Sequence, residues 1–172
     1  MNTQARTFIL SLLLFLGISV AFANTDTRSV DTEVVISASP EKVMQAFLGD
    51  NDLKAWWKVS RSLVEPKQGG VWSITWDDWG PEKTQHAWIG VIEKIAPNRL
   101  VVGHLVMIEP DMPLLGPMQL EITVSPARGG TLLRLSHRGY GYGGHWDSMY
   151  DMVVQGWDHV LGDMETWFEQ EY

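Results

Sequence analysis

The sequence predicts an α+β domain in which a curved antiparallel sheet of six to seven strands wraps around one long C-terminal helix. Residues 147–172 have apolar side chains three and four positions apart and no proline, the pattern of a long amphipathic helix. Between Ser60 and Gly139, short runs with strand character are separated by turn residues. Connections this short join antiparallel neighbours. Because a lone helix is marginal in water, the sheet is expected to cover its apolar side.

The N-terminal segment is expected to be a secretory signal peptide, residues 1–23. Arg6 supplies the positive charge, the apolar run Phe8–Val20 follows, and Ala21–Phe22–Ala23 is a cleavage motif of small residues. The apolar run is shorter than the roughly 20 residues that a helix needs to span a bilayer. Cleavage after Ala23 is therefore favoured over an uncleaved anchor, and the expected location is periplasmic or secreted, with no stable membrane anchor afterwards.

Composition restricts the architecture and the partners of the remaining chain. Residues 24–30 are predicted to be a polar tail, and residues 31–172 are long enough for one domain with its own core. The chain has no cysteine, which excludes disulfides, thiolate catalysis and cysteine metal sites. Its formal net charge of −8 disfavours binding to nucleic acid and to anionic membrane surfaces.

The domain begins with a strand followed by two short helices. Thr32–Ser37 is rich in β-branched residues, which favours a strand. Ser39–Pro40–Glu41 is typical of a helix start, with serine as the cap and proline at the first helical position. This helix is expected to stop at Gly49, and Asn51–Trp57 is the second.

About six strands and the long helix complete the order. The predicted strands are Ser60–Val64, Val71–Trp76, Thr84–Ile95, Leu100–Ile108, Met118–Val124 and Thr131–Arg138. The second of these alternates clearly, with Trp72, Ile74 and Trp76 on one face. The glycine-rich segment 139–144 is expected to be a flexible connector to the long helix, predicted from Asp147 to Tyr172.

Several motifs occur in one order along the chain. They are Ala38–Val43 with Phe47, Trp56–Trp57, Gly69–Gly70, Gly90–Ile95 with Pro97 and Leu100, Gly130–Thr131, His137–Gly139, and Gly156–Trp157 with Leu161. Together they resemble the START-like, Bet v 1-like superfamily, and within it the branch named after the activator of Hsp90 ATPase homologue. The resemblance covers about Thr32 to Phe168 and is more specific for the fold than for a function.

This resemblance implies the helix-grip fold, in which sheet and helix enclose a cavity, often apolar, for small hydrophobic molecules. Members include enzymes of the cyclase or dehydratase type, ligand carriers and proteins that only bind other proteins. The chaperone-helper role suggested by the branch name is not expected here, because an exported chain meets neither that chaperone nor ATP.

Four aromatic residues and one histidine are the candidate ligand-binding residues. Trp72 and Trp76 share a strand face, while Tyr150 and Trp157 lie on the apolar side of the long helix. Aromatic linings are typical of sites for small organic ligands, although these rings could equally fill a core. His104 is the candidate polar group of the cavity, and the alternative is an ordinary exposed or hydrogen-bonded strand histidine.

The glycine-rich connector supplies a candidate lid, formed by Tyr140 and Tyr142 at the mouth of the cavity. No metal site is predicted, because His145-Trp146-Asp147 lacks the converging ligands that zinc requires. No cofactor is predicted either.

The sequence is compatible with three functions. The first is a non-catalytic domain that binds a small hydrophobic molecule. The second is an enzyme acting on such a molecule, with His104, Tyr140 or Tyr142 transferring protons. The third is a protein-interaction module with a filled core. Because the sequence contains no evident nucleophile constellation, no catalytic residue is assigned and the enzyme ranks below the binding domain.

Overall fold

The structure is a computed structural model that describes residues 26–79 and 83–171. The predicted signal peptide lies outside these residues. Seven strands form one antiparallel sheet: β1 Arg28–Ile36, β2 Arg61–Val64, β3 Val71–Trp79, β4 Thr84–Ala96, β5 Arg99–Ile108, β6 Leu115–Ala127 and β7 Gly130–Tyr140. The helices are α1 Pro40–Ala46, α2 Asp50–Trp56 and α3 His145–Glu171. The predicted α+β class, the two short helices and the long C-terminal helix are confirmed.

The sheet has the order β1-β7-β6-β5-β4-β3-β2, and every neighbouring pair is antiparallel. From β2 to β7 each strand pairs with the next in sequence, as the short turns predict. The segment containing α1 and α2 carries the chain from β1, at one edge, to β2, at the other. Closely spaced antiparallel strands twist, so the sheet curves and its concave face receives α3.

The apolar side of α3 is buried as its spacing predicts. Val153, Trp157, Leu161, Met164 and Phe168 are each at most 4% exposed. Tyr150, Val160 and Trp167 lie at the margin and are half-buried. Within the described residues, no helix combines the length and the hydropathy needed to cross a bilayer.

β1 starts earlier than predicted, because Arg28 is fixed by residues far along the chain. Its Nη2 donates to the carbonyl of Gly141 at 2.6 Å and lies 2.8 Å from the Asp147 carboxylate. The guanidinium carbon also lies 4.2 Å from the ring centroid of Tyr150. Residues 28–30, expected to be part of a polar tail, therefore pair with β7.

Indole N–H groups bind the C-terminal carbonyls of both short helices. The last carbonyls of a helix have no partner within it and must find donors elsewhere. The Trp56 indole N–H donates to the Ala46 carbonyl at 2.8 Å. The Trp72 N–H donates to the Phe47 carbonyl at 3.0 Å, and the Trp76 N–H donates to the Trp57 carbonyl at 3.0 Å. These bonds attach α1 to α2 and attach both helices to β3. Three of the tryptophans therefore have a structural role that their polar atom explains.

Candidate functional site

The centre of the candidate site is the ring of Trp57, which follows α2 directly. Its centroid lies close to five other indole rings: Trp56 at 4.9 Å, Trp157 at 5.1 Å, Trp76 at 5.4 Å, Trp88 at 5.6 Å and Trp72 at 6.2 Å. Trp79 joins this cluster through Trp76, at 5.1 Å. These spacings and the mostly tilted or edge-on geometries are those of favourable aromatic pairs.

A cleft opens between this cluster and α3, and we call it the aromatic cleft. It is lined by Trp57, Trp76, Trp79, His86, Trp88, Met152, Val153, Gly156, Trp157 and Val160. The cleft has a cavity volume of about 40 Å³. The core is therefore nearly filled, and the cleft is a narrow slot.

Gly156 contributes the open space on the helix side of the aromatic cleft. Apart from the two adjacent residues and the backbone of the helix, a Cβ atom built there would meet no atom within 4 Å. Gly162, two turns further along α3, is equally open but does not line the cleft. A glycine within a helix costs about 1 kcal/mol relative to alanine. At Gly156 the missing side chain leaves a gap beside the indole rings.

His86 is the only titratable side chain in the described lining of the aromatic cleft. It is 7% exposed, and its ring lies 5.6 Å from that of Trp79. Its Nδ1 lies 3.1 Å from Glu109 Oε1, at the end of β5, although the ring N–H is not aligned for a hydrogen bond. Burial lowers the pKa of His86 below its ordinary value and raises the pKa of Glu109. Burial therefore favours the neutral form of His86.

Behind the cleft, His137 is fully buried and holds two donors at one nitrogen. Nδ1 lies 2.7 Å from the Tyr140 hydroxyl and 3.4 Å from Trp157 Nε1. Because an indole nitrogen only donates, Nδ1 must accept, and the ring proton is on Nε2. Burial lowers the pKa of His137 to about 3, so the ring is neutral. Nε2 is buried and has no hydrogen-bond partner among the residues described.

The predicted ligand-binding residues separate into two groups. Trp76 and Trp157 line the aromatic cleft, as a ligand-binding role requires. Trp72 is completely buried and does not reach the cleft surface, because its indole nitrogen is directed to the carbonyl of Phe47. Tyr150 also lies away from the cleft, where its hydroxyl donates to the carbonyl of Ser29.

The prediction that His104 faces the cavity is wrong. Its side chain is 76% exposed on the outer face of the sheet, 3.7 Å from Glu93. Pairing with β4 and β6 shifts register here, and His104 has a φ of +50°, in the left-handed region. This irregularity is a β-bulge, which inserts an extra residue and turns the side chain outward.

The predicted tyrosine lid is also corrected in part. Tyr140 is the last residue of β7 and is fully buried against His137, so it belongs to the core. Tyr142 is 58% exposed and lies 4.8 Å from the Arg28 guanidinium. Neither tyrosine lines the aromatic cleft.

Sequence reasoning missed the pair His86 and Glu109, although a signal for it exists. His86 is in phase with Trp88 on β4, and Glu109 directly follows β5. The antiparallel register aligns Ala87 with Ile108, which places residues 86 and 109 beside each other. Within the described ranges, no group of three or more His, Asp or Glu side chains is arranged to bind a metal.

A curved sheet around a C-terminal helix, with an apolar cleft between them, defines a START-like domain, a fold of the ligand-binding type. The sequence matches the family described as Activator of Hsp90 ATPase homolog 1-like protein over residues 37–169. The chain belongs to that family. No curated protein matches the chain.

Solved bacterial structures share the fold at low sequence identity. A protein from Rhizobium leguminosarum is 15% identical with a TM-score of 0.68, covering 84% of this chain and 96% of its own. A Mesorhizobium loti protein is 21% identical with a TM-score of 0.66, covering 83% and 98%. A Chromobacterium violaceum protein is 23% identical with a TM-score of 0.65, covering 82% and 96%. At these identities the likeness concerns the fold alone.

Proposed function

We propose that this protein is an exported, non-catalytic domain that binds a small, flat, hydrophobic molecule in the aromatic cleft. One observation supports the proposal above all. Tryptophan rings from the end of α2 (Trp57), β3, β4 and α3 converge on a slot that no side chain fills, because residue 156 is glycine. Indole faces offer large apolar contact areas and prefer offset or edge-on partners, so a planar ring system is the best match.

The narrowness of the aromatic cleft sets the size of the proposed ligand. Pockets for drug-sized ligands usually have volumes of about 300–1,000 Å³. The slot is much smaller, about 40 Å³, so only the edge of one or two fused rings would enter it, with the rest of the molecule at its open side. A larger molecule would require α3 to move away from the sheet.

The same narrowness favours a second candidate, a protein-interaction module. A nearly filled core is what that function predicts, because such a module needs no internal cavity. The two candidates differ in their response to small aromatic compounds, since only the binding domain recognises them.

Native mass spectrometry tests the proposal directly. Protein purified from its own compartment should carry a small molecule, lost on denaturation. Naphthalene added to the emptied protein should shift the indole N–H resonances of the cleft tryptophans in two-dimensional NMR spectra. Neither a co-purified molecule nor any shift with naphthalene would reject the binding domain and favour the interaction module.

Replacing Gly156 with leucine is predicted to abolish naphthalene binding. The backbone accepts a Cβ at this position, and the longer side chain would occupy the slot. Gly162→Leu is the matched control, because it lies on the same helix and is equally open but is remote from the cleft. Both variants should gain up to about 1 kcal/mol of stability from helix propensity. Equal naphthalene affinity in the two variants would place the ligand elsewhere.

Export makes a separate prediction about the mature chain. Cleavage after Ala23 would leave Asn24 as the first residue. Mass spectrometry of the protein isolated from cells should therefore give an N-terminal peptide that starts at Asn24. A peptide that retains Phe8–Val20 would instead indicate an uncleaved segment.

A further inference from the structure

We propose that the aromatic cleft selects aromatic molecules that carry a hydroxyl group, and that His86, positioned by Glu109, accepts the hydrogen bond from that hydroxyl. This inference rests on the proposed binding function and deepens it by naming the chemical class of the ligand.

The geometry leaves one edge of the imidazole for a ligand. His86 lines the aromatic cleft, whereas Glu109, which faces its Nδ1 at 3.1 Å, does not. Because Glu109 lies on the Nδ1 side and does not line the cleft, the proposal assigns the opposite edge, which carries Nε2, to the cleft. Among the described residues, none forms a hydrogen bond with His86 Nε2.

The Glu109 carboxylate favours a proton on Nδ1, the nitrogen that faces it at 3.1 Å, although the N–H and the oxygen are not aligned for a hydrogen bond. A carboxylate accepts and does not donate, so the Nδ1–H tautomer of His86 is favoured beside it. Glu109 Oε1 is buried and has no aligned donor among the described residues. The His86 ring nitrogen at 3.1 Å is the nitrogen that faces it. A neutral imidazole protonated at Nδ1 presents a lone pair at Nε2.

A lone pair in an apolar cleft discriminates between otherwise similar ligands. A phenolic hydroxyl can donate to Nε2, whereas an aryl ether of nearly the same shape cannot. A carboxylate is disfavoured, because it would bring an unpaired charge among indole rings. The surrounding tryptophans bind the ring system of either ligand, so the hydroxyl group accounts for the preference.

The test compares 2-naphthol with 2-methoxynaphthalene by isothermal titration calorimetry on the full mature chain. The wild-type protein should bind 2-naphthol about tenfold more tightly, the scale expected for one buried hydrogen bond. His86→Phe keeps an aromatic ring of similar size and should bind both compounds equally, at the affinity that 2-methoxynaphthalene has for wild type. Equal wild-type affinities, or a preference that persists in His86→Phe, would overturn the inference.

The role of Glu109 is tested by the tautomer of His86, which a purely structural effect of Glu109 would leave unchanged. Imidazole ¹⁵N chemical shifts of His86 should show an unprotonated Nε2 in the wild type. Glu109→Gln should yield mixed tautomers and reduce the preference for 2-naphthol. An unchanged tautomer would remove Glu109 from the inference. If neither naphthalene derivative binds the wild type, the proposed function itself fails, and this inference fails with it.

Discussion

Replacing Trp57 with alanine is expected to lower the free energy of unfolding by about 3–5 kcal/mol, the range for removing a large buried aromatic ring. Trp57 is 5% exposed and its ring contacts five other indoles, so no single neighbour can fill the space. Its backbone carbonyl would still accept the Trp76 N–H. The loss in unfolding free energy would therefore come from the missing indole ring and not from this hydrogen bond. Urea denaturation with an unchanged m-value measures it.

Trp167→Ala is the matched control for this prediction. Trp167 is half-buried near the end of α3, where its ring packs against Phe168 at 4.5 Å. Truncating it removes less buried area and opens no enclosed cavity, so the cost should be clearly smaller. A Trp57→Ala variant no less stable than Trp167→Ala would contradict the central position of Trp57.

The protein is also expected to lose stability steeply in acid because His137 is buried in its neutral form. Burial lowers its pKa from 6.5 to about 3 in the folded state. The unfolded chain therefore binds a proton first as the pH falls. The stability from this group is complete above pH 6.5 and is lost as the pH falls towards 3. The loss is about 1.4 kcal/mol per pH unit, or about 5 kcal/mol over the whole window.

The measurement compares the slope of unfolding free energy against pH for wild type and His137→Phe between pH 6 and pH 4. The variant should show a slope lower by about 1 kcal/mol per pH unit, because carboxylates titrate alike in both proteins. The variant leaves the Tyr140 hydroxyl and Trp157 N–H without an acceptor, which lowers stability at every pH. The double variant His137→Phe, Tyr140→Phe also removes the Tyr140 hydroxyl, so only the Trp157 N–H is left without an acceptor. Identical slopes in wild type and variants would show that His137 does not titrate with unfolding.

Local patterns predicted the elements of this fold well. The spacing of Val153, Trp157 and Leu161 needs only the period of a helix, and the alternation around Trp72 and Trp76 needs only the period of a strand. The start of β1 was missed because Arg28, a charged residue, is held by groups more than 110 positions away.

The candidate site was harder to predict because its residues depend on strand register. His104 would face inward in a regular strand, but a bulge turns it outward. His86 and Glu109 meet only when β4 and β5 are aligned, and neither residue belongs to a recognisable motif. Trp76 and Trp157 were placed correctly because each lies on the apolar face of its own element.

The indole hydrogen bonds at the ends of α1 and α2 have a consequence for the binding of larger ligands. Trp72 and Trp76 link these helices to β3, so widening the cleft on that side would break buried hydrogen bonds. α3 faces the cleft mainly with apolar side chains, and its bond from Trp157 to His137 is long at 3.4 Å. A bulky ligand would thus tilt α3 as a rigid body, and the displacement would be detectable at the C-terminal end of α3, around Trp167.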